Sequence, residues 1–284
     1  MEVKAYAKLN LTLDVLGKRE DGFHDLKMIM QSIDLHDVLT LERNDRGELN
    51  VVTSLSFLPC GDKNLAGMAA RAFYEALGRD VPGLDIRIEK HIPVCAGMAG
   101  GSTDAAAVLR GLNNMEGNPF TPIELSKIGE CVGSDVPYCV LGCTALAEGR
   151  GEVLTPLSPL PECWVVVSKP DFPVSTPELF RAIDQVKLRS RPDTRGAVAA
   201  LEQRDLGGVA RRMYNVFEDA LPERQKNRVA ELKRVMIQCG ALGVNMSGSG
   251  PTAFGLFDEQ EKAEQGLDQL AQIKGVENFL TKTV

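Results

Sequence analysis

Hydrophobic and polar residues alternate almost without a break over residues 3–15. A period of two over this length predicts a β-strand with one face in the core. The apolar set is Val3, Ala5, Ala7, Leu9, Leu11, Leu13 and Val15, and the polar set includes Lys4, Lys8, Asn10, Thr12 and Asp14. Lys8 and Asn10 therefore share the polar face, about 7 Å apart along the strand at a rise of ~3.3 Å per residue.

The rest of the first half mixes strands with amphipathic helices. Strands are predicted over 28–42, 49–53, 84–88 and 138–148. Apolar residues at three- and four-residue steps predict a helix from Leu65 to Leu77, ended by Gly78. Thr121 and Glu124 form a capping box with Pro122 at the first helical position, so a further helix should run to about Gly133.

The second half shows the same mixture without regular alternation of strand and helix. Strands are predicted over 164–168, 242–247 and 252–257, with a last strand at the end of the chain. Helices are predicted from Thr176, over 194–238 and before the last strand. This order favours an α+β fold over a doubly wound parallel sheet. The proline-rich stretch 155–161 predicts a domain boundary after residue 157.

Charge and cysteine usage narrow the class of protein. The net charge of −7 argues against a general nucleic-acid binder, although a few backbone amides and one lysine are enough to hold phosphates. The seven cysteines are scattered, with no C-x-x-C pair, so neither a zinc site nor a disulfide framework is indicated and a cytoplasmic location is expected. No apolar run approaches the ~18 residues that span a bilayer, so no membrane partner is expected.

A glycine-rich loop at residues 93–104 carries the strongest chemical signal. It links a predicted strand to a predicted helix, so the free amides and positive end of that helix point at whatever the loop encloses. Such an arrangement is typical of phosphate sites. The spacing fits neither a P-loop nor a Rossmann fingerprint. A plain glycine turn, with Ser102 or Asp104 as an ordinary N-cap, would also explain it.

Other candidates are weak when taken singly. Residues 247–251, Ser-Gly-Ser-Gly-Pro, are typical of a hairpin turn between two short strands. Lys8 could be an ordinary solvated lysine. Asp135 lies in a Gly-Ser-Asp-Val-Pro segment typical of a turn, and His24 follows another turn, Asp-Gly-Phe.

Taken together, three of these blocks resemble the motifs of the GHMP kinases. They are residues 7–11, 93–106 and 247–251, and their order and spacing cover nearly the whole chain. Residues 17–24 and 133–137 are further similar to a branch of this family. That branch phosphorylates a tertiary 2-hydroxyl on a cytidine diphosphate alcohol of the non-mevalonate isoprenoid pathway. The Asp-Gly-Phe-His block discriminates best, because sister kinases for mevalonate, homoserine or galactose do not share it.

The resemblance implies the fold and the chemistry. It implies a two-domain GHMP kinase fold, with an ATP-binding domain over 1–157 and a ferredoxin-like, substrate-binding domain over 158–284. Asp135 is then expected as the general base, and Lys8 as the residue that orients the hydroxyl and supports the transferred phosphoryl. ATP and Mg²⁺ are the expected cofactors, with the metal held mostly by phosphates and water and no metal ligand assigned in the chain.

The resemblance also assigns binding residues. The substrate set is Asn10, Phe23, His24 and Phe180, with His24 reading the cytosine edge and Phe180 stacking on the base opposite Phe23. The ATP set is the loop itself: Pro93, Val94, Cys95, Ala96, Gly97, Met98, Ala99, Gly100, Gly101, Ser102 and Thr103.

The chain departs from the family pattern at two places. Phe23 stands where members often have tyrosine, which keeps the stacking surface and loses a hydroxyl. Cys95 and Ala96 stand where the loop often has more glycine. Phe180 could equally be a core residue of an amphipathic helix. Two other functions stay open: a GHMP kinase with a different alcohol acceptor, and a non-catalytic nucleotide-binding protein on the same fold.

Overall fold

The computed structural model describes the backbone of residues 1–284 and every side chain except that of Asp62. Contacts between residues divide the chain into two compact units. The first comprises residues 1–7, 35–92 and 99–142, and the second comprises residues 8–34, 93–98 and 143–284. Two long strands, β1 (Glu2–Lys18) and β2 (His24–Arg43), contribute residues to both units. The predicted domain boundary after residue 157 stays a prediction.

The first unit combines a small sheet with four helices. Strand β3 (Leu49–Thr53) runs parallel to β4 (Leu84–Glu89), and β4 runs antiparallel to the C-terminal part of β2. The helices are α1 (Leu65–Ala76), α2 (Gly100–Met115), α3 (Pro122–Glu130) and α4 (Val136–Leu141), with a 3-10 turn at Gly61–Lys63. The capping box at Thr121 and the left-handed Gly78 after α1 are both confirmed.

The second unit carries the remaining strands: β5 (Thr144–Gly149), β6 (Val153–Pro156), β7 (Trp164–Pro170), β8 (Tyr214–Asn215), β9 (Gly243–Met246), β10 (Ala253–Phe257) and β11 (Val276–Lys282). An antiparallel four-stranded sheet has the order β11-β7-β10-β9. The hairpin of β5 and β6 pairs with β2, and β8 pairs with β1 in parallel.

The helices of the second unit lie between these strands in sequence, and two of them, α9 and α10, pack on the four-stranded sheet. Their bounds are α5 (Thr176–Ile183), α6 (Thr194–Glu202), α7 (Leu206–Ala210), α8 (Phe217–Ala220), α9 (Glu223–Gln238) and α10 (Gln260–Ala271). This mixture of helix and sheet confirms the α+β class. In the part of the chain that is described, no helix has the length and apolar character that crossing a bilayer requires.

The predicted strand over 138–148 was wrong in its first half. Residues 138–141 belong to α4, which starts after Asp135 with proline in its first turn and ends at the left-handed Gly142. A short apolar run such as 136–141 fits a buried strand and a buried helix equally well. The proline near its start and the glycine after it, both helix-boundary signals, favour the helix.

The alternation in β1 predicted the strand correctly, but from Lys8 to Asp14 its polar face is not solvated. Lys8, Asn10, Thr12 and Asp14 are all buried. Each has a protein partner within the second unit: the hydroxyl of Thr12 accepts the amide of Ile29, and the carboxylate of Asp14 accepts a hydrogen bond from Arg191. Buried polar groups of this kind are normally hydrogen-bonded. This part of the face is therefore a buried layer of hydrogen-bonded polar side chains.

Candidate active site

The glycine-rich loop has an unusual backbone. Cys95, Gly97 and Ala99 have φ values of +54°, +70° and +59°. Left-handed conformations cost an L residue roughly 1–2 kcal/mol, so two of these three positions are strained. Alternation of left-handed residues turns successive amides toward one side and makes an anion-binding concavity. The backbone at Cys95 therefore takes a conformation that favours glycine.

Helix α2 starts at Gly100, inside the glycine run. Ala99 occupies the N-cap position and no described side chain caps the helix, whereas Asn64 and Thr121 cap α1 and α3 with their side chains. The first amides of α2 consequently lack intrahelical and capping partners, and the positive end of the helix dipole lies there. Ser102 and Asp104 lie within the helix, so the alternative that made one of them an ordinary N-cap was wrong.

The loop packs directly on the second glycine cluster. Residues 247–252 connect β9 to β10 in a hairpin, and the hydroxyl of Ser247 donates to the carbonyl of Gly97 at 2.9 Å. A Cβ added at Gly97 would overlap the carbonyl oxygen of Ser247 and lie 3.1 Å from the amide nitrogen of Gly250. Only glycine fits at residue 97, because both the space and the backbone conformation demand it.

Lys8 lies beside this loop within the second unit. Its backbone amide donates to the carbonyl of Met98 at 3.2 Å, and its ammonium donates to Oδ1 of Asn10 at 2.7 Å. The same Oδ1 accepts the amide of Gly248 at 2.9 Å, and Nδ2 of Asn10 contacts the sulfur of Met28 at 3.2 Å. The Asn10 side chain is 0% exposed. These contacts make Asn10 the link between Lys8 and the glycine turn, while its predicted contact with substrate stays a prediction.

Two asparagines that sequence reasoning missed hold the backbone in this region, Asn215 at the turn and Asn245 at strand β1. Nδ2 of Asn215 donates to the carbonyls of Met246 and Gly248, both at 2.8 Å. Nδ2 of Asn245 donates to the carbonyls of Asn10 and Leu11 at 3.2 and 3.0 Å. Both side chains are buried. An asparagine within an apolar strand such as Gly-Val-Asn-Met is the signal that could have found them, because amides are rarely buried without a structural purpose.

The predicted substrate residues His24 and Phe180 are in ring contact. Their centroids are 4.9 Å apart with planes 25° from parallel, and Phe217 meets Phe180 edge-on. Nε2 of His24 lies 2.8 Å from the carboxylate of Asp184, at the end of the helix that carries Phe180. Phe180 therefore covers one face of the His24 ring. Its predicted place opposite Phe23 across a base stays a prediction.

Phe23 differs from its neighbour His24 in exposure. Its side chain is 53% exposed, and the guanidinium of Arg150 lies over its ring at 5.1 Å from the centroid. An exposed aromatic ring with a cation on one face keeps the other face for stacking. This position suits the predicted stacking role.

Asp135 lies in the first unit, at the N-cap position of α4. Its residue is half-buried, and its carboxylate does not cap its own helix. Among the described residues, no group of three or more histidine, cysteine, aspartate or glutamate side chains could hold a metal ion by itself. Mg²⁺ usually keeps several waters and binds mainly through phosphates with one or two carboxylates, so its binding does not require such a group.

The comparison with known families gives the class of this protein. Residues 64–143 match the family described as GHMP kinases N terminal domain, and residues 197–276 match GHMP kinases C terminal. The first match contains the whole glycine-rich loop and Asp135, and the second contains the glycine turn. The class is therefore that of the GHMP kinases, which are ATP-dependent phosphotransferases acting on small molecules.

Comparison with individual relatives shows to which branch of the GHMP kinases the chain belongs. A 4-diphosphocytidyl-2-C-methyl-D-erythritol kinase of Alkaliphilus metalliredigens is 44% identical over 271 residues, covering 95% of this chain and 92% of its own. The same-named protein of Clostridium botulinum (strain Alaska E43 / Type E3) is 44% identical and covers 100% of both chains. The chain belongs to this kinase family within the GHMP kinases.

Solved structures agree with this assignment. A crystal structure of a 4-(cytidine 5'-diphospho)-2C-methyl-D-erythritol kinase is 32% identical, covers 100% of this chain and 99% of its own, and superposes with a TM-score of 0.82. Homoserine kinase from Cytophaga hutchinsonii superposes at 0.74 with 19% identity over 100% of this chain and 94% of its own. The latter supports the fold alone. The predicted two-domain GHMP kinase fold is thus confirmed.

Proposed function

We propose that this chain transfers the terminal phosphoryl group of ATP to the 2-hydroxyl of 4-diphosphocytidyl-2-C-methyl-D-erythritol, in the non-mevalonate pathway to isoprenoid precursors. The observation that carries the kinase chemistry is the junction of Gly97, Ser247 and the backbone of Lys8, where three distant sequence blocks meet. The names of the full-length relatives support the choice of acceptor. The scattered cysteines, with no C-x-x-C pair among them, support a reducing compartment, for which we propose the cytoplasm.

The loop and the start of α2 bind the triphosphate in this proposal. Residues 93–103 supply backbone amides, three of them at or beside left-handed positions, and α2 supplies its uncapped N-terminus. These donors are fixed before the nucleotide arrives, so little reorganisation is needed as charge moves during transfer. Mg²⁺ would neutralise phosphate charge when bound, and Ser102 or Thr103 could add an oxygen ligand to those of phosphates and water.

In this proposal Asp135 deprotonates the acceptor hydroxyl and Lys8 orients it. Asp135 accepts the proton as the hydroxyl oxygen attacks the γ-phosphorus, the bond from that phosphorus to the bridging oxygen breaks, and ADP leaves. Lys8 orients the hydroxyl and stabilises the charge on the transferred phosphoryl. The hydrogen bond from its ammonium to Asn10 supports this role, because a lysine with a fixed direction needs less ordering in the transition state.

Aromatic residues recognise the cytosine. Phe23 offers an exposed ring for stacking, His24 reads the polar edge of the base, and Phe180 stacks from the other side. The contact of Phe180 with His24 means that base binding on that side requires the Phe180 ring to shift. Asp184 supports the base-reading role by fixing the orientation of the His24 ring.

The test is a kinase assay with 4-diphosphocytidyl-2-C-methyl-D-erythritol, ATP and Mg²⁺, monitoring ADP and the phosphorylated product. A panel of other alcohols, including mevalonate and homoserine, runs in parallel. We expect turnover with the cytidine substrate and at least ~100-fold lower kcat/KM for the others, equivalent to about 2.7 kcal/mol. Preference for another alcohol would refute the acceptor, and ATP binding without any turnover would favour a non-catalytic nucleotide-binding protein.

Asp135→Ala tests the general base. We expect turnover to fall by at least ~10²-fold, the lower range for loss of a positioned base, while ATP affinity stays within a few-fold. Ser134→Ala is the matched control, because Ser134 is the exposed neighbour on the same turn and has no proposed role. Equal activity of the Asp135 variant and the wild type would sink the assignment.

A further inference from the structure

A cluster of three charged side chains is buried in the first unit, outside the residues assigned so far. Lys90 follows β4, Asp37 belongs to β2 and Asp104 belongs to α2. The ammonium of Lys90 donates to Oδ2 of Asp37 and, at 2.6 Å, to Oδ2 of Asp104. The three side chains are at most 5% exposed. Burying three charges costs several kcal/mol per ion unless each is paired, so such a cluster calls for a structural or functional reason.

The cluster contacts the chain at both ends of the glycine-rich loop, which is the proposed phosphate site. Oδ1 of Asp37 accepts the amides of His91 at 2.6 Å and Ile92 at 2.8 Å, the last two residues before the loop. Asp104 lies in the second turn of α2, just after the loop. A Cβ added at Gly100 would lie 3.5 Å from the ammonium of Lys90, so the ammonium sits against the first residue of that helix.

The cluster is not a fully satisfied ion network. Oδ1 of Asp104 is buried and has no hydrogen-bond partner among the described atoms. Burial raises the pKa of the Asp104 carboxyl to about 8, with the nearby Asp37 also raising it and Lys90 opposing. An apolar side chain of similar size at residue 104 would leave no buried oxygen without a hydrogen-bond partner and no carboxyl to be desolvated. Stability alone therefore gives a poor account of an aspartate at this position.

We propose that Lys90 and Asp104, braced by Asp37, are positioning residues of the phosphate loop: they fix the start of α2 against the strand that enters the loop. The inference rests on the proposed ATP site and adds the residues that set its shape. Without the link from Lys90 to Asp104, the first turn of α2 is free to shift relative to residues 90–92. The uncapped amides would then lose their alignment on the triphosphate, and a displacement of ~1 Å can cost 10²-fold in rate.

The decisive pair of variants is Asp104→Leu and Asp104→Asn. Leucine has a similar size and no acceptor, whereas asparagine keeps one oxygen toward Lys90. We expect Asp104→Leu to raise the KM for ATP at least tenfold, leave the KM for the cytidine substrate within twofold, and leave the unfolding temperature unchanged or higher. Asp104→Asn should recover most of the lost ATP affinity. Lys90→Met should resemble Asp104→Leu in its KM values.

Glu116→Gln is the matched control, because Glu116 is a nearly buried carboxylate at the other end of the same helix. Its oxygens pair with Arg43 and Arg79 and accept from the hydroxyl of Tyr74. We expect this control to lower the unfolding temperature and to move neither KM by more than twofold. A KM for ATP within threefold of wild type in Asp104→Leu would overturn the proposal. So would equal increases in both KM values.

Two further measurements keep the outcome decisive. If Asp104→Leu does not fold, the double variant Lys90→Met/Asp104→Asn carries the test, because it breaks the link with two neutral side chains of similar size. The ATP dissociation constant is measured alongside turnover. Wild type that binds ATP without phosphorylating the cytidine substrate would contradict the proposed function, and the ATP affinities of the variants would still decide the positioning role.

Discussion

Replacing Gly97 by alanine tests the junction on which the proposed phosphate site depends. Gly97 has φ +70°, and a Cβ there would come closer than 3.0 Å to the carbonyl oxygen of Ser247. The left-handed backbone costs alanine roughly 1–2 kcal/mol. Forcing an extra methyl into a packed site costs roughly 1–3 kcal/mol more. Gly97→Ala should therefore lower the free energy of unfolding by about 2–5 kcal/mol, a large share of the ~5–15 kcal/mol of a typical domain.

Gly78→Ala separates these two costs. Gly78 has φ +69°, almost the same backbone conformation, and no atom lies within 4 Å of an added Cβ. Gly78→Ala should lower the free energy of unfolding only by the cost of the left-handed backbone, roughly 1–2 kcal/mol. Urea denaturation gives both free energies, and the KM for ATP is measured on each folded variant. Gly97→Ala should also raise that KM, since the loop must move away from Ser247, whereas Gly78→Ala should not.

Equal destabilisation by the two alanines would refute the reasoning. It would mean that the loop and the turn separate at negligible cost, so their contact does not fix the shape of the site. A normal KM for ATP in a strongly destabilised Gly97→Ala would be equally damaging, because the packing would then serve stability alone.

Three further predictions follow from single side chains. Burial raises the pKa of the Asp104 carboxyl above its ordinary value of 3.8, so the folded chain keeps this proton to a higher pH than the unfolded chain does. Stability should therefore fall as pH rises above the ordinary pKa of an aspartate toward the raised pKa of Asp104, and more steeply in wild type than in Asp104→Asn; parallel denaturation curves would contradict this. Asn10→Ala removes the acceptor shared by Lys8 and Gly248 and should cost about 2–4 kcal/mol in denaturation together with a lower kcat; an unchanged unfolding free energy would exclude the linking role. Phe23→Ala should raise the KM for the cytidine substrate and leave that for ATP nearly unchanged; a parallel rise in both would mark the residue as structural.

Local signals determined much of this protein without tertiary information. The alternation in β1, the capping box at Thr121 and the glycine after α1 each predicted an element correctly, because backbone propensity and capping act within a few residues. The glycine-rich loop was predicted as an anion site for the same reason. The run at 136–141 was misassigned because local pattern alone does not separate a short buried helix from a buried strand.

What only the tertiary structure decided depends on residues far apart in the chain. Lys8 and Asn10 were expected on the polar face of a strand, and the structure buries that face under partners more than 200 residues away, such as Gly248 and Asn245. Gly97 meets Ser247 across 150 residues, and Lys90 joins Asp37 across 53. Long-range contacts are set by packing of whole elements, so no local window carries them. The sequence by itself predicted which loop binds phosphate, and the tertiary structure determined what holds that loop in shape.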